Sequence, residues 1–184
     1  MNRIAYILQA KTQYSLHSPF VFGLYNDVLV RKTDSRQLKT STLSRAERRN
    51  ASIVYKLADH FCIKHLFING YEPNNPLRKW LCNELPQLTS AQAIDNENIA
   101  EVKPSSSIII CTISSYKHSK NALQHHISSD TIIVATGIHK YKQSENQWAE
   151  LQNDTSNILT IDLFSCGLVF FRHELSVERY VLLV

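Results

Sequence analysis

Short apolar runs alternate with amphipathic segments over much of the chain, and this alternation is the feature that most constrains its fold. Apolar runs at 65–69, 91–94, 107–113 and 131–135 have the length of β-strands. A strand, a crossover helix and a second strand form a right-handed unit with parallel strands, whose sheet needs apolar cover on both faces. The sequence therefore predicts an α/β domain with a mostly parallel sheet.

Helix signals lie between and before these runs. Ser44 and Glu47 have capping-box spacing, and apolar residues at helical intervals predict a helix over 45–61. A helix that opens at Asn75 and Pro76 follows the first predicted strand, and further helices are predicted over 118–127 and 143–151. The region after the second strand has room for only a brief helical segment.

The N-terminal part has a different character. A short helix is predicted over 4–13 and a second one from Ser18, with Pro19 in its first turn. The segment 30–43 is polar and basic. We therefore predict one compact unit of 184 residues, in which an N-terminal helical cap and linker (1–43) lies against the main domain (44–184).

The C-terminal part breaks the alternation. Strand-like runs at 157–164, 167–172 and 179–184 have no gap of helix length between them. Strands joined by short connections pair antiparallel, so the last part of the sheet is expected to be antiparallel.

Composition excludes several classes of protein. No apolar run approaches the roughly 18 residues that span a bilayer, and the N-terminus lacks the pattern of a secretory signal, so the expected location is the cytoplasm. The four cysteines are far apart, so we expect reduced and mostly buried thiols and no zinc or redox motif. The segment 31–49 contains seven basic residues and only two acidic ones. Such a segment is usually a solvated surface, and nucleic-acid binding is the less favoured alternative.

Three stretches, in order along the chain, carry a resemblance to a known family. They are the segment 13–22 (QYSLHSPFVF), Ile138-His139 followed by the residues 148–151 (WAEL), and the pair 160–164 (TIDLF) and 167–172 (GLVFFR). Together they resemble one bacterial branch of the class I S-adenosylmethionine (SAM) methyltransferases. The resemblance implies a Rossmann-like fold, and we interpret its aromatic residues, Trp148 among them, as packing residues that identify a fold and no reaction.

The resemblance also implies a cofactor site, whose residues are largely replaced. In this branch a loop of the type LELGTSLG follows the first strand, and the matching residues here are 67–74 (FINGYEPN). Ile68 occupies the position of the family's acid, and Asn74 occupies the position of its second glycine. Gly70 is therefore the only glycine of the family's loop that this sequence keeps. The loop positions carried over as cofactor-binding candidates are Asn69, Gly70 and Tyr71.

Further departures follow along the chain. Asp95 matches the acid that would bind the ribose, but only 11 residues separate it from Ser107, too few for the helix, strand and helix of the family. We therefore predict a sheet narrowed by the loss of its third-strand unit. Thr112, the remaining candidate for cofactor binding, occupies a position where the family has an acidic residue. Thr136 and Gly137 occupy the positions of two further acidic residues.

These losses favour a catalytically impaired or inactive methyltransferase homologue that serves as a binding or assembly module. SAM is the cofactor implied by the resemblance, and we expect that it is not bound. The alternative is a working SAM-dependent methyltransferase on a small-molecule acceptor, since methyl transfer to a nucleophilic acceptor depends mainly on positioning.

The predicted partner is a small molecule or a protein, with homodimerisation through an uncovered sheet edge as one arrangement. No metal site or catalytic residue is assigned. Thr112, Thr136 and His139 are expected to line a polar pocket.

Overall fold

The computed structural model describes residues 3–11, 16–32, 38, 42–85, 90–93, 106–123, 127–154, 159–172, 174–175 and 177–184. Its helices are α1 (Arg3–Gln9), α2 (Pro19–Leu24), α3 (Arg45–His60), α4 (Pro76–Asn83), α5 (Ile113–Leu123) and α6 (Lys142–Asn153), and a π-helical turn (Tyr25–Leu29) continues α2. Its strands are β1 (His65–Asn69), β2 (Ser90–Ala93), β3 (Ser107–Thr112), β4 (Thr131–Thr136), β5 (Leu159–Asp162), β6 (Cys166–Phe170) and β7 (Glu178–Val181).

The seven strands form one mixed sheet in the order β2-β1-β3-β4-β6-β5-β7. The first four of these are parallel, while β6 runs antiparallel to both β4 and β5. The predicted antiparallel hairpin is therefore confirmed for β5 and β6. The same prediction is wrong for β7, which pairs parallel with β5 because the chain passes from β6 over β5 to the far edge.

Apolar residues cover the sheet on both faces, as a mostly parallel sheet requires. Alternate strand residues such as Ile108 and Ile110 pack with α3, α4 and the α2 region in one buried cluster. Their neighbours, such as Ile109 and Cys111, pack with residues of α5 and α6 in a second cluster. All six residues of β4 are buried, which explains why this strand is a continuous apolar run with a threonine at each end.

Local signals place most helix starts correctly. The Ser44 hydroxyl accepts from the Glu47 amide at 3.3 Å, and Glu47 Oε2 accepts from the Ser44 amide at 2.9 Å, so the predicted capping box is present. Ser18 and Asn75 cap α2 and α4. The prediction of 118–127 for α5 is wrong at its start, because the helix follows β3 directly at Ile113 without an intervening loop.

The N-terminal segment packs on the main body, as its apolar face predicts. Val21, Leu24 and Val28 belong to the core cluster on the α3 face of the sheet. The Tyr6 hydroxyl lies 2.8 Å from the carbonyl oxygens of both Asp162 and Leu182 and shares its proton between them. The segment between Asp95 and Ser107, which is predicted to hold no complete strand unit, lies outside the described residues apart from residue 106. The division of the chain between residues 43 and 44 stays a prediction.

Candidate functional site

A cavity with a volume of about 1130 Å³ lies at the carboxyl ends of the parallel strands. The strand order explains its place, because β2 pairs with one side of β1 and β3 with the other. In open α/β sheets a crevice forms outside the strand ends where the order reverses in this way. Gly70 after β1, Thr112 at the end of β3 and Thr136 at the end of β4 line its wall.

Gly70 is held in a packed turn. It has a positive φ of 74°, and a Cβ at this position would lie 1.9 Å from Ser115 Oγ and 2.8 Å from Thr112 Oγ1. Thr112 Oγ1 donates to Ser115 Oγ at 2.8 Å and accepts from the Ser115 amide at 3.2 Å. The conformational freedom of this glycine therefore serves contact between the β1 turn and the start of α5.

Tyr71 extends over the strand ends. Its hydroxyl forms a short hydrogen bond with Thr136 Oγ1, which donates in turn to the Cys111 carbonyl oxygen at 3.2 Å. Since β3 lies between β1 and β4, this side chain spans three strands. Burial raises the pKa of Tyr71, so the phenol stays protonated and neutral.

The structure brings some of the predicted cofactor residues together and separates others. Gly70, Tyr71 and Thr112 line the cavity. Asn69 is buried and points into the protein, where its Nδ2 donates to Ser119 Oγ at 3.3 Å. Asp95 lies outside the described residues.

The predicted polar pocket of Thr112, Thr136 and His139 is confirmed, because all three residues lie on the wall of the cavity. Two acidic side chains lie on either side of the His139 ring. Its Nε2 lies 2.8 Å from Asp162 Oδ2, its Nδ1 lies 3.6 Å from Glu145 Oε1, and its side chain is only 7% exposed. This histidine therefore lies between the buried carboxylate of Asp162 and the partly buried carboxylate of Glu145, and its Nδ1 forms no hydrogen bond with the described residues.

Asp162 is the residue that the sequence analysis missed. It is buried, and its carboxylate also accepts from Trp148 Nε1 at 3.0 Å and from the Phe164 amide at 2.8 Å. Trp148 is 3% exposed and packs against Gly167, which confirms its interpretation as a packing residue. The sequence did contain a signal for this network. It is the occurrence together of Ile138-His139, Trp148 and the residues 160–164.

The other wall of the cavity comes from the N-terminal end of α3, which the sequence analysis did not place in a site. Ser44, Arg45, Ala46, Glu47, Arg49 and Asn50 line it, together with Arg3 of α1 and Lys140 of the loop after β4. The described part of the basic stretch is thus divided. Arg45 and Arg49 face the cavity, whereas Arg31 lies near Lys56, whose pKa is lowered by burial and by that arginine.

The cysteines correct one expectation. All four are free thiols, but Cys62 and Cys82 are exposed, and only Cys111 and Cys166 are buried as predicted. Cys62 lies in the turn that follows α3, and Cys82 lies on the exposed side of the last turn of α4. Burial raises the pKa of each buried thiol to about 12.

The described residues contain no cluster of three or more histidine, cysteine or acidic side chains that could hold a metal ion. No helix among them combines the length and the apolar character needed to cross a membrane.

Comparison of the chain with protein-family models, with curated proteins and with solved structures finds no significant match.

Proposed function

We propose that this chain is a Rossmann-like α/β protein of the class I methyltransferase type whose cofactor site has degenerated, and that it acts as a binding or assembly module without methyl transfer. The mixed sheet, the antiparallel β5–β6 hairpin and the crevice at the order reversal are compatible with that fold. A fold alone does not specify a reaction, so the residues of the site decide whether methyl transfer is possible.

The observation that carries the proposal is the hydroxyl contact between Tyr71 and Thr136. A SAM molecule held by a glycine loop would need backbone open to it at the end of β1. Here the Tyr71 side chain covers the ends of β1, β3 and β4, and the space beside Gly70 is filled by Ser115 and Thr112. The residues of this turn therefore do not fit the cofactor that the resemblance implies.

The chemical groups of the wall support the same proposal. Ile68, at the position of the family's acid, is 2% exposed and belongs to the apolar core. The threonine, serine and tyrosine hydroxyls are neutral and bonded to one another, and His139 is held between carboxylates. The carboxylates on the cavity wall, Glu47 and Glu72, stand at positions other than that of the acid in the family's loop.

One observation favours the alternative, an active methyltransferase with an unusual pocket. The cavity volume of about 1130 Å³ lies slightly above the usual range for small-molecule sites and would hold a nucleoside-sized ligand. Rotation of Tyr71 away from Thr136 would open the strand ends further.

Isothermal titration calorimetry with SAM and with S-adenosylhomocysteine distinguishes the two functions. We expect no saturable heat from either compound with the native chain, whose folding is verified by circular dichroism. The variant Tyr71→Ala removes the covering side chain and is expected to remain without binding, because the acid and the open glycine loop are still missing. Micromolar binding of either compound to the native chain would overturn the proposal.

A further inference from the structure

The wall of the cavity formed by α3 contains a buried amide with an unused hydrogen-bonding atom. Asn50 is 6% exposed and lies on the cavity wall, and its Oδ1 has no hydrogen-bond partner. A buried amide oxygen without a partner loses free energy that a ligand can restore. An asparagine amide both donates and accepts, so it fits a neutral polar group such as a hydroxyl.

The N-terminal end of the same helix offers unbonded donors. The capping box uses the amides of Ser44 and Glu47, and the Arg48 amide donates to the Ser44 carbonyl oxygen. The amides of Arg45 and Ala46 form no hydrogen bond within the described part of the chain, and both residues line the cavity. Free amides at the start of a 16-residue helix form a site of positive potential that favours an oxyanion.

The charges around the cavity are predominantly positive. Its described wall holds four cationic side chains, Arg3, Arg45, Arg49 and Lys140, and the carboxylates of Glu47 and Glu72. Four positive and two negative side chains leave an excess of two positive charges. This excess would balance the two negative charges of a phosphate monoester dianion. Arg49 donates to the Val184 carbonyl oxygen at 2.7 Å, whereas Arg3 and Arg45 have no acidic partner within 4 Å among the described residues.

We propose that this cavity binds a small phosphate monoester, with its phosphate at the Arg45 and Ala46 amides and a neutral polar group of its body at Asn50. Asn50 lies five positions after Arg45, which places the two subsites about 7.5 Å apart along the helix axis. A phosphorylated sugar or polyol has this length and polarity. The inference rests on the proposed binding role and specifies its ligand class.

The test is an NMR titration of the ¹⁵N-labelled full chain at constant ionic strength. Inorganic phosphate is expected to shift the Arg45 and Ala46 amide resonances in a saturable way. Ribose 5-phosphate should shift the same resonances and, in addition, the side-chain amide of Asn50, with a lower Kd than inorganic phosphate. Ribose alone, which lacks the anionic group, should shift neither set.

Two exposed arginines of α3 provide matched variants. Arg45→Gln removes a charge at the cavity and is expected to weaken ribose 5-phosphate binding about tenfold. Arg48→Gln removes the same charge from a residue outside the cavity wall and should leave the Kd within about twofold. Asn50→Leu should retain phosphate binding and lose the additional affinity for ribose 5-phosphate.

Several outcomes would overturn this inference. Shifts that grow linearly without saturation, or equal weakening by Arg45→Gln and Arg48→Gln, would indicate general surface electrostatics. Tighter binding of acetate than of phosphate would reject the phosphate assignment in favour of a carboxylate. The outcome for the proposed function is separate, because SAM binding overturns that function whatever phosphate does, and absent phosphate binding overturns only the ligand class.

Discussion

His139 Nε2 lies 2.8 Å from Asp162 Oδ2, and this contact joins the loop after β4 to the end of β5. The Asp162 carboxylate also accepts from Trp148 Nε1 and from the backbone amide of Phe164. Asp162 is only 3% exposed, so water cannot replace it as an acceptor for these donors. One buried carboxylate thus positions two residues of the cavity wall, His139 and Phe164.

Asp162→Ala is expected to destabilise the fold strongly, because it leaves three donors without their buried acceptor. We expect a loss of about 3–5 kcal/mol in the free energy of unfolding, measured by urea denaturation. Asp59→Ala, at an exposed aspartate near the end of α3, serves as the control and should change it by less than about 0.5 kcal/mol. Similar losses in both variants would refute the role assigned to Asp162.

Gly70→Ala is expected to destabilise the protein by about 2–4 kcal/mol, because its Cβ would meet Ser115 and its φ of 74° disfavours any side chain. Thermal and urea unfolding measure the effect. Gly23→Ala is the matched control, since its Cβ would meet only Asp27 Oδ2 at 3.9 Å within α2. That change should stabilise the helix by about 0.5–1 kcal/mol. A neutral Gly70→Ala variant would show that the turn is not packed as described.

Tyr71→Phe tests the contact that spans the strand ends. Loss of the hydroxyl bond to Thr136 is expected to cost about 1 kcal/mol of unfolding free energy. A double-mutant cycle with Thr136→Val should give a coupling energy of about 1 kcal/mol between the two side chains. Tyr141→Phe, which changes a mostly exposed tyrosine on the same wall, is the control and should be nearly neutral. Additive effects of Tyr71→Phe and Thr136→Val would contradict the contact.

Alkylation with iodoacetamide tests the burial of the thiols. Cys62 and Cys82 are exposed and should be modified rapidly in the native protein. Cys111 and Cys166 should react only after unfolding, because they are inaccessible and their raised pKa keeps them as thiols. Peptide mass spectrometry identifies the modified residues. Rapid native modification of Cys111 or Cys166 would contradict the packing of β3 or β6.

Because of the raised pKa of Cys111 and Cys166, we expect the free energy of unfolding to decrease in alkaline solution. Burial raises their pKa in the folded protein to about 12, above the ordinary thiol value of 9.0, so folding favours the protonated form. This contribution is complete below pH 9.0 and is lost as the pH rises through about 12. Urea denaturation of Cys111→Ala should show a shallower decline over this range than the native chain. An unchanged slope would contradict the prediction.

Local chemistry explains what the sequence alone determined. Apolar runs and capping residues identified most of the strands and helices, because both signals act between residues close in the chain. The pocket of Thr112, Thr136 and His139 could be predicted too, since the carboxyl ends of parallel strands lie at one edge of a sheet. The departures of Ile68 and Asn74 from the loop of the resembled family rest on the resemblance alone and stay a prediction.

Contacts between residues distant in the chain decided the rest. The parallel pairing of β7 with β5 depends on which sheet edge is free after β6 has paired, and no local signal encodes that choice. Asp162 resembled an ordinary residue at a strand end until the fold brought Trp148 and His139 to it. Asn50 and Arg45 entered the cavity for the same reason, because the packing of α3 against the sheet places the start of that helix beside the ends of the strands.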